Sequence, residues 1–398
     1  MLTSLALILL VGMSMAAICK KIKLPSLIGM LATGIVLGPF VLDFLDPSIL
    51  GVSSELRQIA LIFILIKAGL ALDLSDLKRV GRPAILMSFL PALMEMGGFM
   101  LLAPSLLHVS LLEAAIMGAV LGAVSPAVVV PKMVHLMENR YGTDKSIPQL
   151  ILAGSSLDDV FVIVLFTTFV GMAQGKAAAV TDFLNIPISI VLGILLGAVT
   201  GIALAYMFES AHERGETIRS SNKTIIIIGT AFLLMSIETW LEGTVAVSGL
   251  LAVMSMACAI RIRTAEIVSA RLSEKMGKLW LAAEIMLFVL VGAAVDIRYT
   301  MKAGLAAVAL ILFALLFRSI GVLICMIGTE LNFKERMYCV IAYIPKATVQ
   351  AAIGSVPLSL GLPCGNIVLS VAVLSIIITA PLGAFAMDFS YKRLLRKM

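Results

Sequence analysis

The sequence predicts an all-α polytopic membrane protein of about 13 transmembrane helices, arranged as a 6+1+6 inverted repeat with two broken crossing helices. Three observations predict it. The 398 residues are 61% hydrophobic and only 14% charged, with a mean hydropathy of +1.09, more apolar surface than a soluble chain can bury. The apolar residues fall in continuous runs long enough to cross a bilayer, and the basic residues gather in alternate connections. Short motifs of the first half recur, in order, in the second. Continuous runs also exclude a transmembrane barrel, whose strands alternate.

Read in order, the apolar segments fall at approximately 2–19, 24–41, 57–72, 84–107, 111–137, 148–172, 183–208, 222–240, 243–260, 279–296, 303–328, 336–360 and 363–387. The first has no basic region ahead of it, and Lys20, Lys21 and Lys23 follow it, so it reads as a span rather than a cleaved leader. Assigned to alternate sides, 23 of the 30 Lys and Arg fall on one face of the membrane and 4 (Arg57, Lys176, Arg298 and Lys302) on the other. The positive-inside rule then puts the N-terminus outside and the C-terminus in the cytoplasm. One miscounted span would scramble this partition. Only Lys67, Arg318 and Lys346 remain inside spans. The five cysteines show no metal-ligand spacing and read as packing residues. The pI near 9.1 reflects the basic connections and implies no nucleic-acid partner.

The repeat is legible in three matches. "GLALDL" (69–74) resembles "GAAVDI" (292–297) at an offset of 223, "SLIGMLATG" (26–34) resembles "AVSGLLAVM" (246–254) at 220, and "AVSPAVVV" (123–130) resembles "AYIPKATV" (342–349) at 219. These offsets lay spans 1–6 on spans 8–13. The halves start an odd number of spans apart, so they insert upside down relative to each other, as in secondary transporters with a site at the midplane. Two corresponding spans are also interrupted: span 5 by Ser125-Pro126 and Pro131, span 12 by Pro345 and then Gly354 with Pro357. Proline removes an amide and frees backbone groups at membrane depth, which are tolerated only beside a cavity or a polar partner. Two simple kinks are the alternative; matching breaks in both halves favour two unwound helices that cross.

Charge in the membrane marks the candidate site. In "GSSLDDV" (154–160) Asp158 lies ten residues into its span, about 15 Å from the start and too deep for a short side chain to reach either interface. Each such charge costs about 2.5–3.5 kcal/mol to insert. Asp159 points about 100° away around the helix, so one carboxylate can face a cavity and the other a neighbouring helix. Ser155 shares their side, and Ser125 stands at the first break. Carboxylates, hydroxyls and loosened carbonyls suit a hard monovalent cation; the alternative is an internal cap on a broken helix. Glu95 in span 4 and Arg318 in span 11 differ by 223, so the repeat predicts a salt bridge between them, read first as a structural lock. Lys346 follows Pro345 at the second break and can pair with an aspartate of 158–159. Lys67 reads as a snorkelling residue. Three acids (Glu95, Asp158 and Asp159) against three bases (Lys67, Arg318 and Lys346) balance, so an entering cation requires a departing proton.

With "GSSLDDVF" and "IPKATVQAAIG" in hand, the chain resembles the sodium/proton antiporters, specifically the two-aspartate, NHA-type branch of the second monovalent cation:proton antiporter family. The resemblance covers essentially the whole chain and implies the sodium/proton antiporter fold. It implies Na⁺ or Li⁺ exchanged for H⁺ by an elevator mechanism in the lipid bilayer, in a homodimer, with no cofactor and no enzymatic step. Residues 83–175 and 302–398 would be the ion-carrying core, 1–82 and 221–301 a dimerisation scaffold, and 176–220 a linker. Asp159 would be the principal ion- and proton-binding acid, with Asp158 partnered by Lys346. Electrogenic relatives carry a lysine where this chain has Arg318; an arginine keeps its proton, which implies one-for-one, electroneutral exchange. No nucleotide-binding domain follows residue 398, an expectation against potassium, and the expected location is a bacterial inner membrane.

Two weaker features remain. Gly193, Gly197 and Gly201 line one face of span 7, a pattern for close helix packing. His135 and His212 lie in cytoplasmic connections, as solvated residues or as pH sensors. The rival functions are a cation-coupled symporter of an organic acid, which would need a roomier and more polar break than "SPAVVVP", and an ion-regulated membrane sensor or scaffold.

Overall fold

Backbone in an apolar environment has no water to bond, so each apolar run closes its own hydrogen bonds as helix. The computed structural model describes residues 1–22, 24–71, 80–174, 180–213, 218–241 and 247–398; among these the chain is helical, with one isolated bridge between Tyr141 and Lys397. The helices are α1 (Leu2–Lys21), α2 (Ser26–Leu37), α3 (Pro47–Gly51), α4 (Ser53–Ala71), α5 (Arg82–Met87), α6 (Leu90–Leu107), α7 (Leu111–Leu121), α8 (Pro126–Glu138) and α9 (Ile147–Ala173). There follow α10 (Val180–Glu213), α11 (Ser220–Trp240), α12 (Gly249–Arg263), α13 (Glu266–Ala293), α14 (Ile297–Cys325), α15 (Phe333–Ala342), α16 (Thr348–Ile353), α17 (Val356–Ser359) and α18 (Gly365–Leu394). Among the described residues seven helices are long and apolar enough to cross a membrane, and Ser26–Leu37, Leu111–Leu121 and Phe161–Ala173 are shorter apolar helices. The protein is an all-helical, multi-pass membrane protein.

The chain divides into two compact units: Met1–Ser54, Asp73–Gly175 and Ile285–Met398 in one, Glu55–Leu72 and Lys176–Glu284 in the other. In the first unit, small residues bring α6 and α14 into backbone contact. A Cβ on Gly98 would stand 2.9 Å from the Phe317 ring, and one on Gly321 would stand 2.8 Å from Cα of Pro91 and 3.2 Å from Cβ of Met94. Gly98 and Gly321 differ by 223, as do Met94 and Phe317, so this contact is reciprocal under the repeat.

A second reciprocal contact appears once in each unit. In the first, a Cβ on Gly292 would lie 2.3 Å from the Leu31 carbonyl and 3.1 Å from Cα of Gly34; in the second, one on Gly69 would lie 2.6 Å from the Met254 carbonyl. Gly69 and Gly292 are 223 apart, and Gly34 and Met254 are 220 apart. Asp73, which extended the match at Gly69, lies outside the described residues, as do Lys23, Lys78, Arg79, Lys176 and Arg214 of the basic tally. Arg57, assigned above to a connection, is instead 5% exposed within α4.

The glycine stripe of span 7 packs as expected in the second unit. Cβ atoms on Gly193, Gly197 and Gly201 would fall 2.6, 2.1 and 2.4 Å from the carbonyls of Ser248, Ala252 and Met256, climbing α12 one turn at a time.

Both interrupted spans are broken helices. α7 opens on a capping box of Ser110 and Glu113, and α15 opens on one of Asn332 and Glu335, at an offset of 222. α7 stops at Leu121 and α8 restarts at Pro126; α15 stops at Ala342 and α16 restarts at Thr348. A further interruption follows at Gly354, before α17.

Candidate functional site

Pro126 has no amide to return to the preceding turn, so α7 ends with carbonyls that need other donors. Three consecutive ones find them in side chains of the second half. Lys346 Nζ donates to the Leu121 carbonyl and Arg318 Nη1 to that of Gly122, while Gln350 Nε2 donates to that of Ala123 at 2.8 Å. The freed amides are also met. Val124 N donates to Asp158 Oδ2 at 3.1 Å, and Ser125 N donates to the Pro345 carbonyl at 2.8 Å, joining the two breaks backbone to backbone. In the second break Lys346 N donates to Thr379 Oγ1 of α18 at 3.0 Å.

Charges converge on the same crossing. Glu95 Oε2, on α6, accepts from Arg318 Nη1 at 2.7 Å and from Lys346 Nζ at 2.8 Å. Arg318 Nη2 donates to Asp158 Oδ2 at 3.1 Å and Nε donates to the Tyr343 carbonyl at 2.7 Å. The Tyr343 ring centroid lies 5.4 Å from the guanidinium carbon. A planar fork of five donors suits this site, where a point charge could not reach four acceptors on two helices and in the two breaks. Glu95, Asp158, Arg318 and Lys346 are each at most 1% exposed.

Asp159 is different. It is 7% exposed, its Oδ1 is buried without a partner, and among the described residues no ion pair reaches it. One residue along α9 separates it from a carboxylate engaged by both a guanidinium and an amide. Ser125 Oγ is likewise buried and unpartnered, while Ser155 Oγ donates to the Leu152 carbonyl at 3.1 Å and keeps its lone pairs.

All seven expected residues thus belong to the first unit, and the Glu95–Arg318 bridge is present. Two expectations change. Lys346 is bonded to Glu95 instead of Asp158, because Glu95 offers one oxygen to both cations while Asp158 is taken by Arg318 and the Val124 amide. Lys67 sits on α4 in the second unit, where its charged neighbour is Glu284 of α13, a residue the charge balance above omitted. The local set is therefore three acids to two bases, with the surplus charge on Asp159. His135 is exposed near the end of α8, its Nδ1 3.2 Å from Asn139 Nδ2; the side chain of His212 lies outside the described residues. Sequence reasoning missed Tyr343, Gln350 and Thr379. A glutamine inside "IPKATVQAAIG" was the available signal for the second, as an uncharged polar group in an apolar run.

Comparison with known proteins gives a consistent result. The profile of the family described as sodium/hydrogen exchanger, transmembrane, matches residues 5–388. Human sodium/hydrogen exchanger 9B2 is 35% identical over 389 residues, covering 94% of this chain and 70% of its own length. Human sodium/hydrogen exchanger 9B1 is 31% identical over 386 residues, covering 94% and 73%. Among solved structures, the sodium proton antiporter MjNhaP1 from Methanocaldococcus jannaschii superposes with a TM-score of 0.85 at 22% identity, over 99% of this chain and 98% of that one.

Proposed function

The chain belongs to the sodium/hydrogen exchanger family, and from that premise we propose that it exchanges Na⁺ or Li⁺ for H⁺ at Asp159, one for one. The observation that carries this reading is the unpartnered Oδ1 of Asp159 beside a fully engaged Asp158. A buried carboxylate without a counter-ion needs neutralising, and one proton or one monovalent cation suffices. Both compete for the same oxygen, so binding one displaces the other.

Asp158, Glu95, Arg318 and Lys346 hold the crossing in shape and keep their own charges compensated, while Ser125 and Ser155 supply neutral oxygens to the cation. No covalent chemistry and no cofactor enter this scheme. Thirteen crossings, an N-terminus outside and a cytoplasmic C-terminus complete the topology we propose. The first unit carries the aspartates, and movement of residues 83–175 and 302–398 past a dimeric scaffold of 1–82 and 221–301, linked by 176–220, is the elevator step. The core crosses when Asp159 is neutralised and resists crossing when it is bare. A bacterial inner membrane is the proposed location.

The test is reconstitution in liposomes carrying a pH dye, with Na⁺, Li⁺ or K⁺ added and the membrane potential either clamped at zero or imposed. Proton movement on adding Na⁺ or Li⁺, indifferent to the imposed potential, is the expected result. Exchange driven by potential alone would remove the one-for-one stoichiometry. Silence with all three cations would remove the exchange reading.

A further inference from the structure

Of the three carbonyls that end α7, two are held by cations and the third by a neutral amide. We propose that Gln350 is a specificity-determining residue for the transported cation: its Nε2 holds the Ala123 carbonyl and its Oε1 serves the ion as a neutral ligand. The inference rests on the exchange reading above.

Gln350 is 0% exposed and lies on α16, in the first turn after the second break. Only the amide nitrogen can donate to a carbonyl, so the 2.8 Å bond to Ala123 sets the orientation of the amide and leaves Oε1 as its free end. That oxygen is buried and has no partner. Leaving a buried polar group unpaired is unfavourable, and an apolar side chain of the same length would avoid that cost. A hydrogen bond to one carbonyl does not by itself explain why the other end of the amide is left bare.

Other unpartnered buried oxygens belong to the same two breaks and to α9, whose Asp158 accepts from the Val124 amide of the first break. Ser125 Oγ is at the start of α8, Thr348 Oγ1 is at the start of α16, and Asp159 Oδ1 is on α9. With Gln350 Oε1 and the likewise unpartnered Glu95 Oε1, whose other oxygen is paired with Arg318 and Lys346, they form a set of hard oxygens in which Asp159 is the one carboxylate without an ion pair among the described residues. A desolvated monovalent cation is held by several such neutral dipoles. Using neutral groups beyond the one carboxylate also preserves the one-for-one charge count. Because Gln350 is anchored at Nε2, its oxygen cannot follow a smaller ion inward. It therefore serves Na⁺ better than Li⁺.

The experiment uses the full chain with Gln350→Met and Gln350→Asn, read as exchange in liposomes and as melting temperature in choline, Na⁺ and Li⁺. With Gln350→Met the apparent KM for Na⁺ rises about tenfold, the KM for Li⁺ by less than about threefold, and the maximal rate stays within about twofold of wild type. The value in choline falls modestly, because methionine leaves the Ala123 carbonyl without its donor, and the Na⁺-dependent gain above that value shrinks in parallel with the KM change. Should Gln350→Met fail to fold, Gln350→Asn carries the same expectation, its oxygen withdrawn by one carbon. Unchanged KM values, or a fall in maximal rate at constant KM, would make Gln350 a cap on the break and overturn the proposal. An active wild type with unaffected variants sinks this inference alone. A wild type showing neither exchange nor a cation-dependent gain in melting temperature sinks the exchange reading, and this inference with it.

Discussion

Two adjacent aspartates on one helix meet different surroundings because about 100° separates their side chains. Asp158 is committed to Arg318 and the Val124 amide, and Asp159 is not committed to anything described. Asp159→Asn removes the exchangeable charge but keeps shape and polarity, so exchange falls at least about a hundredfold, on the assumption that an amide neither releases a proton nor neutralises a cation. Melting in detergent stays near the wild-type temperature; normal exchange by this variant would refute the assignment. Glu95→Gln has the opposite profile. It leaves Lys346 without its ion-pair partner and Arg318 with only Asp158, and breaking a buried network of this kind costs about 3–5 kcal/mol. A large drop in thermal stability is expected, and a variant as stable as wild type would mean the bridge is not a lock. The identities of these five charged residues were legible from depth in an apolar run, and the Glu95–Arg318 pair from a common offset. That Arg318 keeps Glu95 and also takes Asp158, leaving Lys346 to share Glu95, was not legible, since which cation reaches which oxygen depends on how far each break unwinds.

Helix contacts in this protein are written by glycine against backbone. A methyl on Gly197 would sit 2.1 Å from the Ala252 carbonyl, and backbone cannot turn aside as a side chain can, so Gly197→Ala must push α10 away from α12. The expected loss is about 1–3 kcal/mol. Gly229, exposed on α11, has nothing within 4 Å of the same position, so Gly229→Ala is neutral or gains up to about 1 kcal/mol from helix propensity. Thermal melts of the two variants side by side measure the contrast, and equal effects would deny the packing role of the stripe. The stripe itself was readable from its four-residue spacing, as were the two breaks from proline. Gly98 and Gly321 show the same offset of 223 and were readable in principle, but a lone glycine in an apolar run carries no signal until its partner helix is known.

The inverted repeat joins these contacts into one mechanism. α6 and α14 meet through mutually equivalent residues, the broken helices start on equivalent capping boxes, and their breaks are bonded backbone to backbone. Equivalence in sequence does not extend to charge: the repeat pairs an acid, Glu95, with a base, Arg318, so the two halves cancel where they meet. With Lys346 also compensated, a single acidic charge, that of Asp159, is left over at the crossing, and under the proposed exchange it sets the pH behaviour of the protein. If H⁺ and Na⁺ contend for that one charge, acidification raises the apparent KM for Na⁺ by about tenfold per pH unit wherever the proton dominates, while saturating Na⁺ restores the same maximal rate. The sign follows from competition: more protons leave fewer empty sites and never a better one. Initial rates in liposomes at a series of Na⁺ concentrations and symmetrical pH values measure it directly. A maximal rate that collapses at low pH and is not recovered by Na⁺ would place the controlling proton on a separate group, and the single-charge account would fail.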